Sequence, residues 1–160
     1  MSSKSLLAEM VAILSLICAG SPAWAQPAPP TDACSLLTPA QVSAALGVSV
    51  GAGQRLVPTS PLLCTWEQTG ASSPNSKKVM ASIIRIDQFA HEKTPLQGIT
   101  ETQASGIGDE AHYMTTPGFG TGLSVKKGNY AFKIRVNGGF SLDQTEAIEK
   151  KLAQDALAKL

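Results

Sequence analysis

Aromatic side chains are scarce in this chain, and neither charge sign is in marked excess. Phe, Trp and Tyr make up 5% of the 160 residues, and the formal net charge is +1. The first shortage argues against a stacking platform for single-stranded nucleic acid. The second argues against a basic field for a phosphate backbone and against an acidic tail. Nucleic acid is therefore not an expected partner. Catalytic signatures are missing as well. There is no G-x-S-x-G elbow, no internal repeat and no coiled-coil pattern. Gly106-x-Gly108-x-x-Ala111 matches a dinucleotide fingerprint in spacing only. That motif needs a helix after it, and His112 to Thr116 reads as strand. The glycines are read instead as permitting a tight turn with positive φ. A Ser-His-carboxylate constellation assembled from distant positions is beyond the reach of sequence.

Long apolar runs are also lacking, apart from Met10 to Ala19. That run is too short to span a bilayer as an ordinary helix and has the flanks of a secretory signal. Lys4 precedes it, Gly20, Ser21 and Pro22 break the helix, and Ala23-Trp24-Ala25 places small residues at −3 and −1 of a cleavage site. The expectation is a signal peptide over 1–25, cleaved near Ala25, and a periplasmic or secreted product. A flexible Pro-rich segment, 26–33, then leads into a single domain, 34–160. Cys18 raises a lipoprotein alternative, but a lipobox wants a small residue before the cysteine, and Ile17 stands there.

With the leader removed, two cysteines remain, Cys34 and Cys64. In an oxidising compartment they read as one disulfide, the alternative being two buried thiols. The bridge would close a loop of about 30 residues and stabilise the fold by roughly 3–4 kcal/mol through chain entropy. It would also withdraw both thiols from nucleophilic chemistry.

Helix signals bracket the domain. Thr38-Pro39-Ala40-Gln41 is a capping box with Pro at the first helical position, and Leu37 with Val42 forms a hydrophobic staple. Gly47 closes a helix over Pro39 to Leu46, with Val42, Ala45 and Leu46 facing inward. Ser141-Leu142-Asp143-Gln144 opens a second helix, running to about Lys159. There Ile148, Leu152, Ala156 and Leu157 form the inner stripe, and Glu146, Glu149, Lys150 and Asp155 lie away from it. Between the helices the pattern is that of strands: Gln54 to Val57, Leu63 to Thr69, Val79 to Asp87, Ala111 to Thr115, and a hairpin of Leu123 to Lys126 with Tyr130 to Val136. In the last, Tyr130, Phe132, Ile134 and Val136 share one face, and Lys133 and Arg135 take the other. Gln88 to Lys93 reads as a helical turn stopped by Pro95. The fold class is α+β: an antiparallel sheet of about five to six strands packed by a short N-terminal and a long C-terminal helix.

Candidate functional residues are few. His91 and His112 sit among acidic residues, and with Asp109 they are weak candidates for metal ligation, because their spacing fits no standard motif. No cofactor is expected. Asp109 and Glu110 are adjacent, so in an extended segment they point to opposite faces and would not share a substrate. Trp66 is read as core packing beside Cys64. The Ser-rich loop Ser72 to Ser76 and the loop Pro117 to Gly122 are candidate contact surfaces, the latter through Pro117, Phe119 and Thr121. Phe119, between Gly118 and Gly120, is expected to tuck onto the core; exposure as a partner anchor is the alternative.

The run Asp32-Ala33-Cys34-Ser35-Leu36-Leu37-Thr38-Pro39-Ala40-Gln41-Val42, continuing to Ala45-Leu46-Gly47, resembles the opening of small exported bacterial domains of unknown function. Among these are actinobacterial lipoprotein families with a Cys-Ser-Leu-Leu-Thr motif. Cys64-Thr65-Trp66 and Gly106-Ile107-Gly108-Asp109-Glu110-Ala111 resemble later parts of the same pattern. The resemblance implies a Cys34–Cys64 disulfide and supplies no catalytic residues; the missing lipobox departs from the anchored members. The helix–sheet–helix order is also similar to the photosystem-P-protein fold. The expected function is that of an exported, monomeric, non-enzymatic module binding an envelope or secreted protein or a small ligand. The alternatives are an inhibitor of a hydrolase and a small metal-dependent or hydrolytic enzyme.

Overall fold

A computed structural model describes residues 28–160 apart from Ser72, Pro74 and Pro95. The expected leader and Cys18 lie outside the described residues. A 3-10 turn, Ala33–Ser35, is capped by the Asp32 carboxylate, which accepts from the Cys34 N–H at 2.9 Å. Cys34 is disulfide-bonded to Cys64, which ties this turn to the sheet. The bridge suits an oxidising compartment. Among the described residues no helix is long and apolar enough to cross a membrane.

Both capping boxes form. Helix α1 (Pro39–Leu46) starts where Thr38 Oγ1 accepts from the Gln41 N–H and Gln41 Oε1 accepts from the Thr38 N–H. It ends at Gly47, whose φ of 67° is the left-handed conformation anticipated there. The long C-terminal helix, α3 (Leu142–Leu157), opens with the same exchange between Ser141 and Gln144. Between α1 and α3 run seven strands: β1 (Gln54–Arg55), β2 (Leu63–Glu67), β3 (Lys78–Ile84), β4 (Thr100–Gln103), β5 (Glu110–Thr115), β6 (Leu123–Lys127) and β7 (Tyr130–Asn137). They form one antiparallel sheet in the order β1-β2-β3-β7-β6-β5-β4. The sheet is thus larger than the expected five to six strands. The strand missed is β4: all four of its residues are exposed, so it carries no alternation of apolar and polar side chains.

A second correction concerns the end of β3. The expected strand over Val79 to Asp87 stops at Ile84, and Ile86 and Asp87 enter a helix, α2 (Ile86–Glu92). The Arg85 carbonyl accepts from the Phe89 N–H, and the Arg85 guanidinium grips Asp87 through two bonds of 2.9 Å. Helix formation lets Phe89 bury itself against Ile84 and Ala131, which a continued strand would not. The burial of one large ring outweighs the β-propensity of the Ile-rich run.

Strand register sorts the sheet's two faces. On one face Cys64, Ala81, Ile134, Leu123 and Tyr113 stand in a row across five strands. Trp66 and Val79 extend this face, and α1 and α3 cover it with Val42, Leu46, Leu152, Ala153 and Ala156. Trp66 is therefore core, as expected. The opposite face carries the row Ser82, Lys133, Ser124, His112 and Gln103. Because β3 is central and β4 is the far edge, the connection between them crosses this second face. Helix α2 lies in that connection and packs on β6 and β7.

Glu149 overturns its expected place. It is fully buried on α3: its charge suggested the outer side, but its spacing of three from Leu152 and four from Ala153 puts it on the inner stripe. Strand β6 begins at Leu123, opposite Ile134, so Val136 lies beyond the end of that ladder. Its N–H donates instead to Glu149 Oε1 at 3.0 Å. A helical carboxyl thus supplies the acceptor that a longer β6 would have supplied.

Candidate functional site

The loop between β5 and β6 is a built turn. The Thr116 N–H donates to the Gly120 carbonyl and the Phe119 N–H to the Thr116 carbonyl, at 2.9 and 3.0 Å. Gly118 and Gly120 have φ of 78° and 82°, conformations that L side chains resist. These bonds fix the loop's shape, and its tip is Phe119. The ring is 75% exposed, so the expectation that it tucks onto the core is overturned. The turn's hydrogen bonds and its two left-handed glycines fix the backbone of Phe119 at the outer end of the loop. The Arg135 Nη2 donates to the Phe119 carbonyl at 3.4 Å and steadies the tip from below.

The two loops singled out in the sequence meet here. Asn75 of the Ser-rich loop and Gly118, Phe119 and Gly120 border one cleft of about 380 Å³, which Gly138, Gly139 and Phe140 complete. Pro117 is exposed beside the tip. Thr121 is not available for contact. It is fully buried, and its hydroxyl lies 3.2 Å from that of Thr115.

The candidate metal ligands do not converge. His91 is exposed on α2, His112 is buried on β5, and Asp109 lies at the exposed turn before β5. Asp109 instead accepts from Lys127 Nζ and from the Gly128 N–H, at 3.2 and 2.7 Å. The Gly128 N–H and then Lys127 hold its carboxyl below the usual range. Among the described residues, no three His, Cys, Asp or Glu side chains form a group that could hold a metal. The turn itself depends on Gly108, at φ 59°: a Cβ there would lie 2.5 Å from the Lys126 carbonyl oxygen.

Sequence reasoning missed a polar cluster beneath α2. Glu92 accepts from Ser124 Oγ and from Lys133 Nζ, both at 2.6 Å. His112 Nε2 stands 3.6 Å from the same carboxylate, too far for a hydrogen bond, and the His112 ring packs on Phe89 with centroids 4.7 Å apart. Burial alone would raise the Glu92 carboxyl; the surrounding His112, Lys133 and Ser124 prevail and bring it down to about 2. A serine, a histidine and a carboxylate are therefore neighbours, but in the wrong order for nucleophilic catalysis. The serine hydroxyl is committed to the carboxylate, and neither His112 nitrogen has a hydrogen-bond partner among the described residues. Ser124 is also fully buried, so no substrate reaches it. The sequence signals for this cluster were His112, singled out among acidic residues that include Glu92, and the placement of Lys133 on the face opposite Phe132.

Comparison with protein-family models, with curated proteins and with solved structures found no match.

Proposed function

We propose that this chain is an exported, non-enzymatic binding module whose β5–β6 loop docks Phe119 into an apolar pocket on an envelope or secreted protein. The observation that carries this reading is the 75% exposure of Phe119 at the tip of a hydrogen-bonded turn. A large ring held in water by a preformed loop gains its burial energy only on association, and little ordering entropy is lost when a rigid loop binds. The polar cleft beside it, with Asn75 and Gly138 on its walls, supplies a wet rim around that anchor. The Cys34–Cys64 bridge supports export, and the buried hydroxyl of Ser124 supports a non-enzymatic role.

The test replaces Phe119 with a photo-crosslinking phenylalanine analogue, in cells that produce the protein. Leu142, 48% exposed, is the control position. A discrete adduct formed from position 119, not from 142, and competed by wild-type protein but not by the Phe119→Ala variant, is the expected result. Equal adducts from both positions, or equal competition by both proteins, would remove Phe119 as an anchor. Truncating a hot-spot aromatic costs about 2–4 kcal/mol of binding, so competition by Phe119→Ala falls at least about 30-fold.

A further inference from the structure

A second surface lies beneath the β3–β4 crossover and meets the docking loop at Arg135. There the segment after α2 and the open face of the sheet enclose a cleft of about 250 Å³. Its sheet side carries Lys133 and Arg135 of β7, with Met114 of β5 and Gly122 beside them; Leu96 and Ile99 of the crossover face them. An adjoining lobe of about 200 Å³ shares Glu92, Leu96, Ile99 and Met114, adds Lys93 and Glu101 at its rim and lengthens the cleft toward β4.

We propose that this cleft binds a short aliphatic monocarboxylate, its carboxylate on Arg135 and its chain along Met114, Leu96 and Ile99. Charge comes first. The charged residues bordering the main cleft are Glu92, Lys133 and Arg135. Glu92 and Lys133 cancel one another at 2.6 Å, so one positive charge remains, on Arg135. Among the described residues Arg135 has no carboxylate partner. One of its nitrogens makes the long 3.4 Å bond to the Phe119 carbonyl, and its buried Nε–H has no acceptor. A guanidinium with no carboxylate partner in the wall of a cleft leaves a charge-assisted donor for an anionic ligand. Its planar fork matches a carboxylate, and the single net positive charge suits a monoanion. The apolar part follows from Leu96, 55% exposed, which a ligand chain would cover. The volume lies just below the usual range of roughly 300–1,000 Å³, which sets the chain as short.

The experiment is calorimetric titration of the protein with octanoate, octan-1-ol and octyl phosphate. The proposal expects saturable one-to-one binding of octanoate, with the alcohol and the phosphate each at least about tenfold weaker, the size of one charge-assisted contact. Arg135→Gln is expected to weaken octanoate at least about tenfold. A Cβ at Gly122 would lie 3.8 Å from Lys133 Cδ and 3.9 Å from Arg135 Cβ, so Gly122→Leu is expected to fill the cleft and abolish binding with Arg135 intact. Phe119→Ala is expected to bind octanoate as wild type does, which separates this site from the docking loop. Thermal melting checks each variant, and should Gly122→Leu fail to fold, Arg135→Gln decides. Absence of saturable octanoate binding, equal binding of the alcohol or the phosphate, or an unchanged Arg135→Gln titration overturns the proposal.

Discussion

Replacing Glu149 with glutamine is expected to stabilise the protein, by an amount that grows with pH. Burial pushes the Glu149 carboxyl up to about 8, against 4.5 when exposed. The Val136 N–H and the charges of Arg135 and Lys133 pull the other way, and Glu146 adds to the rise. The folded chain therefore keeps a proton that the unfolded chain releases. Below pH 4.5 both states are protonated and no stability is lost. Between 4.5 and 8 stability falls by about 1.4 kcal/mol per unit, so about 3 kcal/mol is lost by pH 7. Glutamine keeps an oxygen for the Val136 N–H and does not titrate. Glu149→Gln should then match wild type at pH 4 and exceed it by about 3 kcal/mol at pH 7, roughly 10 °C in Tm for a domain of this size. Glu149→Leu, which strands the Val136 N–H in a buried site, should be destabilised by about 1–3 kcal/mol at pH 4. Circular-dichroism melts of the three proteins from pH 4 to 8 measure all of this. Wild-type and glutamine curves that run parallel across that range would refute the reasoning, because they would mean that Glu149 ionises in place or has access to water.

Glu92 titrates with the opposite sign. Its carboxyl is held at about 2, so its contribution is complete above pH 4.5 and is lost as pH falls from 4.5 through 2, up to about 3 kcal/mol. Glu92→Gln should flatten that acid limb in urea melts and lower stability at pH 7. Taken with Glu149, this places the wild-type maximum near pH 4.5–5; a Tm that instead peaks above pH 7 would contradict the Glu149 assignment, and one that does not fall below pH 4.5 the Glu92 assignment. Replacing Cys34 and Cys64 together by serine should cost roughly 3–4 kcal/mol, read as a lower urea midpoint that reductant no longer changes. Gly108→Ala forces a Cβ to 2.5 Å from the Lys126 oxygen at φ 59° and should cost about 1–3 kcal/mol or more, whereas Gly106→Ala, with open space around its Cβ, should cost less.

What the sequence made legible was local chemistry. Thr38 with Gln41 and Ser141 with Gln144 found each other three residues apart, and both helices start where those pairs place them. The face of β7 was also legible, because Phe132, Ile134 and Val136 alternate strictly with Lys133 and Arg135. Failures came where a distant element decided the outcome. Ile86 reads as strand until one knows that Phe89 has Ala131 to pack on. The short strand β4 has no buried residue to announce it and exists because β5 offers an edge. Its charge, not its spacing, sends Glu149 outward on a reading by residue type: three residues before Leu152 and four before Ala153 it lies on the buried stripe, and the early end of β6 gives its carboxyl a partner there.

The polar cluster was hidden for the same reason, taken one step further. His112 and Ser124 are cross-strand neighbours, and Ser124 is likewise opposite Lys133. Each pairing depends on hairpin register, and a slip of one residue in any of the three strands would turn its member toward α3. Glu92 reaches them from a helix that lies over this face only because β3 and β4 are separated by three strands. So the same crossover that buries Phe89 also caps a polar row, aligns Glu92 with Lys133 and leaves Arg135, beyond it, without a carboxylate partner among the described residues. The charge left at the cleft is thus a consequence of topology: Lys133 and Arg135 are two residues apart on one face of β7, and α2 ends at a carboxylate that neutralises only the nearer.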